Sequence, residues 1–96
     1  MHAAPTIDLY EAIKEMRRLT SVNQSFSFVH ATYDRERDES NGFRSVKRAI
    51  LRPAAKGDDQ RDADHMLFYQ DQEIGQPRKC WQILLMWFNG KKCILN

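Results

Sequence analysis

Apolar residues recur at helical spacing near the start of the chain. Leu9, Ala12, Ile13, Met16 and Leu19 share one face, while Glu11, Lys14, Glu15, Arg17 and Arg18 point elsewhere. The period predicts an amphipathic helix over residues 7–19, about three turns long. Asp8 followed by Glu11 forms a capping-box pattern, Ile7 is placed to staple onto Ala12, and Thr6 is a competing cap. The early acids and the late Arg17 and Arg18 suit the helix dipole.

After Asn23 the period becomes two. SFSFVHATY, residues 25–33, alternates and is rich in aromatic and β-branched residues, so it is expected to be a strand. DRERDESNG, residues 34–42, has the composition of a charged loop. FRSVKRAILR, residues 43–52, resumes alternation, with Phe43, Ala49 and Leu51 on one side and Val46 and Ile50 on the other, until Pro53 ends it. Residues 54–64 again have the composition of a surface loop. HMLFYQD, residues 65–71, is preferred as a strand over a short helix because it is short, aromatic-rich and followed by turn-like residues. A fourth strand is expected over residues 78–88, with Pro77 at its start. Asn89-Gly90 is the preferred type I′ turn dipeptide, since both central residues need positive φ, and it leads to a fifth strand over residues 91–95. The predicted fold class is α+β, one N-terminal helix followed by a five-stranded antiparallel meander or a small, partly open barrel. The chain reads as a single domain, 1–96, with residues 1–5 disordered.

One stretch strains this picture. WQILLMWF, from Trp81 to Phe88, puts Trp81, Ile83, Leu85 and Trp87 on one face of a strand and Leu84, Met86 and Phe88 on the other. Both faces of such a strand must be covered. The helix can cover one, leaving a barrel wall, a second layer or another subunit for the other. A membrane is not expected, because a spanning helix needs about 20 apolar residues. Trp81, Trp87 and Phe88 are therefore the candidate interface anchors, since large rigid aromatics dominate interface energetics when buried.

The composition adds constraints. Fifteen basic residues against thirteen acidic ones leave a net charge of +2, which does not single out a nucleic-acid or membrane-surface protein. The charges are blocked, however. Phe43 to Lys56 carries +5, Gly57 to Pro77 carries −5, and Arg78, Lys79, Lys91 and Lys92 add +4. Arg44, Arg48 and Arg52 fall four residues apart. With Lys47 they form a candidate nucleic-acid-binding stripe on which Phe43 or Tyr33 could stack bases. The competing reading is that these cations answer the acidic segment or blunt an edge strand. About the Asn89-Gly90 turn Cys93 faces Met86, which places Cys80 far beyond disulfide reach within that hairpin. No secretory signal is visible, and a reduced, cytoplasmic protein is expected.

No catalytic set emerges. Asp58, Asp59, Asp62, Asp64 and His65 are metal-ligand types, but they lack the ligand order of an EF-hand and read as a solvated acidic loop. A metal-dependent hydrolase built on Asp62, Asp64 and His65 is the weakest alternative. His30 shares a strand face with Phe26 and Phe28 and reads as a hydrogen-bonded core residue rather than a general base. No enzyme activity, cofactor or metal is expected.

IDLYEAIKEMRRLT followed by FSF, the LRP after the second strand, and WQILLMWFNG together resemble a set of short proteins from phage-derived and mobile-element regions of gut bacteria, whose neighbours include virion components. The resemblance covers nearly the whole chain and carries over no functional residue. It implies a small structural or accessory protein, cytoplasmic or incorporated in a virion. The expected function is non-enzymatic, acting by self-association or by docking onto a larger assembly, with a protein partner and no membrane. The alternative is a small nucleic-acid-binding module using the basic second strand.

Overall fold

Asp8 starts the helix. Its carboxylate accepts hydrogen bonds from the backbone N–H groups of Tyr10 and Glu11, at 3.1 and 3.2 Å, satisfying two of the donors a helix leaves free at its start. Helix α1 (Leu9–Ser21) follows, burying Leu9, Ala12, Ile13, Met16 and Leu19, the five residues of the apolar face. Glu11 does not close the box but pairs with Lys14. The helix stops in a Schellman arrangement. Asn23 takes φ +58°, and the N–H groups of Asn23 and Gln24 return to the carbonyls of Thr20 and Leu19.

The computed structural model describes residues 5–34, 39–54 and 63–95. Besides α1 it contains β1 (Thr6–Asp8), β2 (Phe26–Asp34), β3 (Glu39–Leu51), β4 (Met66–Asp71), β5 (Gln76–Trp81), β6 (Leu85–Phe88) and β7 (Lys91–Ile94). They form one sheet in the order β1-β7-β6-β2-β3-β4-β5, antiparallel except for the parallel β1–β7 pair. The fold is therefore α+β with one N-terminal helix and a mostly antiparallel open sheet, of seven strands rather than the five expected.

Three differences have local causes. β1 is three residues long, too short to show a period, and is held by main-chain pairing to β7, with the Lys92 N–H also donating to Pro5 at 2.9 Å. Pro5 is thus paired; residues 1–4 lie outside the described residues. The β2–β3 hairpin is longer than expected. Residues 39–42, read as loop from their charge, continue the ladder through Asp34↔Glu39 and Thr32↔Gly42. The expected strand over residues 78–88 is broken by a single 3-10 turn, Gln82–Leu84.

That break ends the meander. β5 is the edge strand beside β4, whereas β6 lies four strand positions away, between β2 and β7. Trp81 and Leu85 are separated by four Cα steps, at most about 15 Å. In a flat sheet the first and fifth strands would stand about 19 Å apart. The sheet must therefore coil. Tyr69 and His30 show how far. Tyr69 pairs with Leu51 and His30 with Arg44, seven positions apart on β3, which in a flat sheet would separate them by roughly 20 Å along the strands. Instead the Tyr69 hydroxyl and the His30 ring are hydrogen-bonded at 3.0 Å across the concave face.

The core fills that concavity. Phe26, Phe28, Val46, Ala49, Leu67, Tyr69, Cys80, Leu85 and Phe88 pack with the buried face of α1. Tyr69 meets Phe28 edge-on with centroids 4.9 Å apart. Replacing Asp8 by Ala removes the helix cap and should lower unfolding free energy by about 1 kcal/mol, read as a shifted urea midpoint with an unchanged slope.

Candidate functional site

Two β-bulges determine which side chains face outward. In β6 the register with β2 slips at Met86: Phe88 pairs with Phe28 and Trp87 with Val29, but Leu85 pairs with His30. The extra residue lets Leu85 and Phe88, which alternation would place on opposite faces, both enter the core at 4% and 2% exposure. Met86 and Trp87 remain outside at 36% and 37%. The doubly apolar run is therefore not sandwiched between two layers. Of the three expected anchors, Phe88 is a core residue of its own chain, Trp81 is half-buried opposite Met66, and Trp87 is exposed.

The second bulge lies in β3. Phe26 pairs with Ala49 but Phe28 with Val46, so Lys47 and Arg48 together oppose Ser27. The parity of the strand changes there. Val46, Ala49 and Leu51 all turn toward the core, and Arg44, paired with His30, shares the concave face. The four-residue spacing of Arg44, Arg48 and Arg52 thus does not make a stripe. Arg52 is a structural clasp. Its Nε donates to the Tyr69 carbonyl at 3.1 Å, Nη1 to Pro53 at 3.1 Å and Nη2 to Arg78 at 2.9 Å, with the guanidinium 5.5 Å from the Phe68 ring centre.

What remains outside is an aromatic and basic face. Cross-strand pairing aligns Lys92, Trp87, Val29 and Ser45 in one row, and Phe43, 69% exposed, lies two residues along β3 from Ser45. Lys47 and Arg48 are exposed beside it. A groove of about 460 Å³ runs over this face, lined by Ser27, Val29, Ser45, Lys47, Trp87 and Asn89. Its floor is rigid, because the Asn89 side-chain oxygen accepts from the Ser27 N–H at 2.9 Å and the Asn89 N–H donates to the Ser27 carbonyl at 2.9 Å. Asn89 and Gly90 both have positive φ, as the turn dipeptide requires. Of the expected nucleic-acid residues, Lys47 and Arg48 are on this face and Arg44 and Arg52 are not; Lys92 was missed. Only the β6–β7 pairing brings Lys92 beside Trp87. The side chain of Tyr33 lies outside the described residues.

The concave face holds a different constellation. His30 is 3% exposed and Tyr69 fully buried. The His30 Nδ1 lies 3.0 Å from the Ala31 carbonyl, which can only accept, so Nδ1 carries the proton and Nε2 accepts from the Tyr69 hydroxyl. Burial lowers the His30 pKa, and the nearby Arg44 and Arg78 guanidinium groups lower it further. Burial pushes the Tyr69 hydroxyl up to about 12. The pair is a neutral hydrogen-bonded unit, not a poised acid and base. Cys80 is a buried thiol pushed up to about 12 by desolvation, and Cys93, half-buried on β7, is also raised. Neither has the electropositive exposure of a reactive thiolate. Asp64 and His65 stand in a short 3-10 turn before β4; Asp58, Asp59 and Asp62 lie outside the described residues. Among the described residues no three His, Cys, Asp or Glu side chains group as metal ligands, and no helix is long and apolar enough to cross a membrane.

No protein-family model, curated protein or solved structure matches this chain.

Two outcomes are expected. A histidine held neutral by the fold contributes stability that is present above its unfolded pKa of about 6.5 and lost as pH falls through the lower folded value, because the unfolded chain then binds the extra proton. Urea midpoints should fall as pH drops below about 6.5, and His30→Gln should flatten that slope. Arg52→Met should cost about 1 to 3 kcal/mol of stability through its lost charged hydrogen bonds, without weakening any binding to the aromatic and basic face.

Proposed function

We propose that this is a non-enzymatic structural protein that assembles through the face carrying Trp87, Phe43, Lys47, Arg48 and Lys92. The observation that carries the proposal is the exposure of Trp87 beside a groove, on a strand whose neighbours Leu85 and Phe88 are buried. An aromatic anchor with a polar, charged surround has the anatomy of an interface hot spot. Symmetric pairing of this face with itself would set Lys47, Arg48 and Lys92 against their own copies, a like-charge juxtaposition. Assembly is therefore head-to-tail, or onto another acidic surface. The sequence carries compensating charge, −5 from Gly57 to Pro77, of which Asp64 and Glu73 are exposed among the described residues. Heterologous contacts of this kind build rings or filaments. A virion or accessory component, the context implied by the resemblance to phage-derived and mobile-element proteins, would use a small protein in this way.

A second reading has its own support. Exposed aromatics interleaved with cations are also the ingredients of a single-strand nucleic-acid platform, where bases stack and the backbone follows the charge. The two readings separate in solution. Light scattering on a size-exclusion column, over a concentration series, should show a defined oligomer that weakens with salt. Trp87→Ala should weaken that association by about 2 kcal/mol with the fold intact, whereas Phe88→Ala should cost about 3 to 5 kcal/mol of folding stability. A monomer at every concentration, together with oligonucleotide binding that falls steeply with salt, would replace the first reading by the second.

A further inference from the structure

The concave face contains a grouping that the aromatic face does not use. Arg44 is the direct cross-strand partner of His30, and Arg78 the direct partner of Tyr69. Direct partners project to the same side of a sheet. Coiling then brings the two pairs together, because His30 and Tyr69 are hydrogen-bonded to one another. Four strands thus deliver two guanidinium groups beside one buried neutral pair. Both arginines act electrostatically on both His30 and Tyr69, which places them around the same point.

Among the described residues neither arginine has an ion-pair partner. The ion pairs among the described residues are Lys14–Glu11 and Arg18–Glu15, both on α1. Asp71, the carboxylate that also acts on Tyr69, accepts instead from the Glu73 N–H at 3.1 Å in the β4–β5 turn. Arg78 donates through Nη2 to Gln76 at 3.2 Å, but its buried Nε has no hydrogen-bond partner among the described residues. A buried, unsatisfied N–H on a charged group is costly, and such exceptions call for an explanation. Arg44 and Arg78 are both half-buried, so a ligand can reach them, while His30 beneath them is closed to solvent.

We propose that Arg44 and Arg78 bind a phosphate group over the His30–Tyr69 pair. Guanidinium forks match phosphate oxygens in geometry as well as charge. The phosphate is either a free or monoester phosphate or a nucleic-acid backbone group; the recognising chemistry is the same. Tyr69 and His30 form the floor and keep the arginines apart from the apolar core.

The test uses the whole chain and inorganic phosphate as the probe. The His30 imidazole is followed by NMR through a pH titration, assigned by comparison with His30→Gln, in phosphate and in chloride at equal ionic strength. Bound phosphate offsets the two positive charges, so the His30 titration should move to higher pH in phosphate and not in chloride. Arg44→Gln and Arg78→Gln, checked for retained spectral dispersion, should weaken phosphate binding about tenfold or more each, whereas Lys47→Gln on the other face should not. An oligothymidylate that produces the same His30 shift identifies a backbone phosphate, and one that does not identifies a small phosphorylated ligand. Equal shifts in phosphate and chloride, or phosphate shifts that survive in both arginine variants, would overturn the proposal. Because the readout is on the concave face, its failure is distinct from failure of assembly through Trp87.

Discussion

The contact of Tyr69 with Phe28 and His30 closes the sheet upon itself, and much of the structure follows from it. Among the described residues the seven-stranded sheet has one α-helix, α1, to cover it. Left flat, it would expose most of one face. Coiled, it turns one face into a concave core small enough for α1 to fill, and the bridge from β4 to β2 across that concavity holds the curvature. The cost of placing a histidine and a tyrosine hydroxyl in that core is met by their bonding to each other.

Curvature also explains the bulges. A strand that bends locally must lose register, and the slips at Met86 in β6 and at Lys47 and Arg48 in β3 both do so on β2's neighbours. Each re-aims side chains. The first sends Leu85 and Phe88 inward and leaves Met86 and Trp87 outside; the second turns Arg44 inward and leaves two adjacent cations outside. The chemistry of both faces is thus a by-product of how the sheet is bent. Edge protection is handled separately. β5, at one edge, carries Pro77 and Lys79, and β1, at the other, is three residues long, so neither edge invites further strands.

A protein so arranged separates its surfaces by type. The outer face offers aromatic contact and positive charge, while the concave face offers two arginines beside a buried neutral pair. Desolvation holds the buried Cys80 thiol and Tyr69 hydroxyl protonated.

What could be read along the chain was whatever depends on near neighbours. The helix face, the Asp8 cap, the strand read over residues 65–71 and found at Met66–Asp71, and the Asn89-Gly90 turn with its pairing of Trp87 to Lys92 follow from local periodicity and dihedral preference. What could not be read is whatever depends on curvature. The break at Gln82–Leu84 carries no glycine or proline to announce it, and it exists because β5 must hand the chain to a strand on the far side of the sheet. The bulges likewise have no local signature, so alternation assigned Arg44, Phe88 and Phe43 to the wrong company. Side-chain facing in a sheet has a period of two, and a single slipped residue reverses every position beyond it; only the tertiary coil decided where those slips fall.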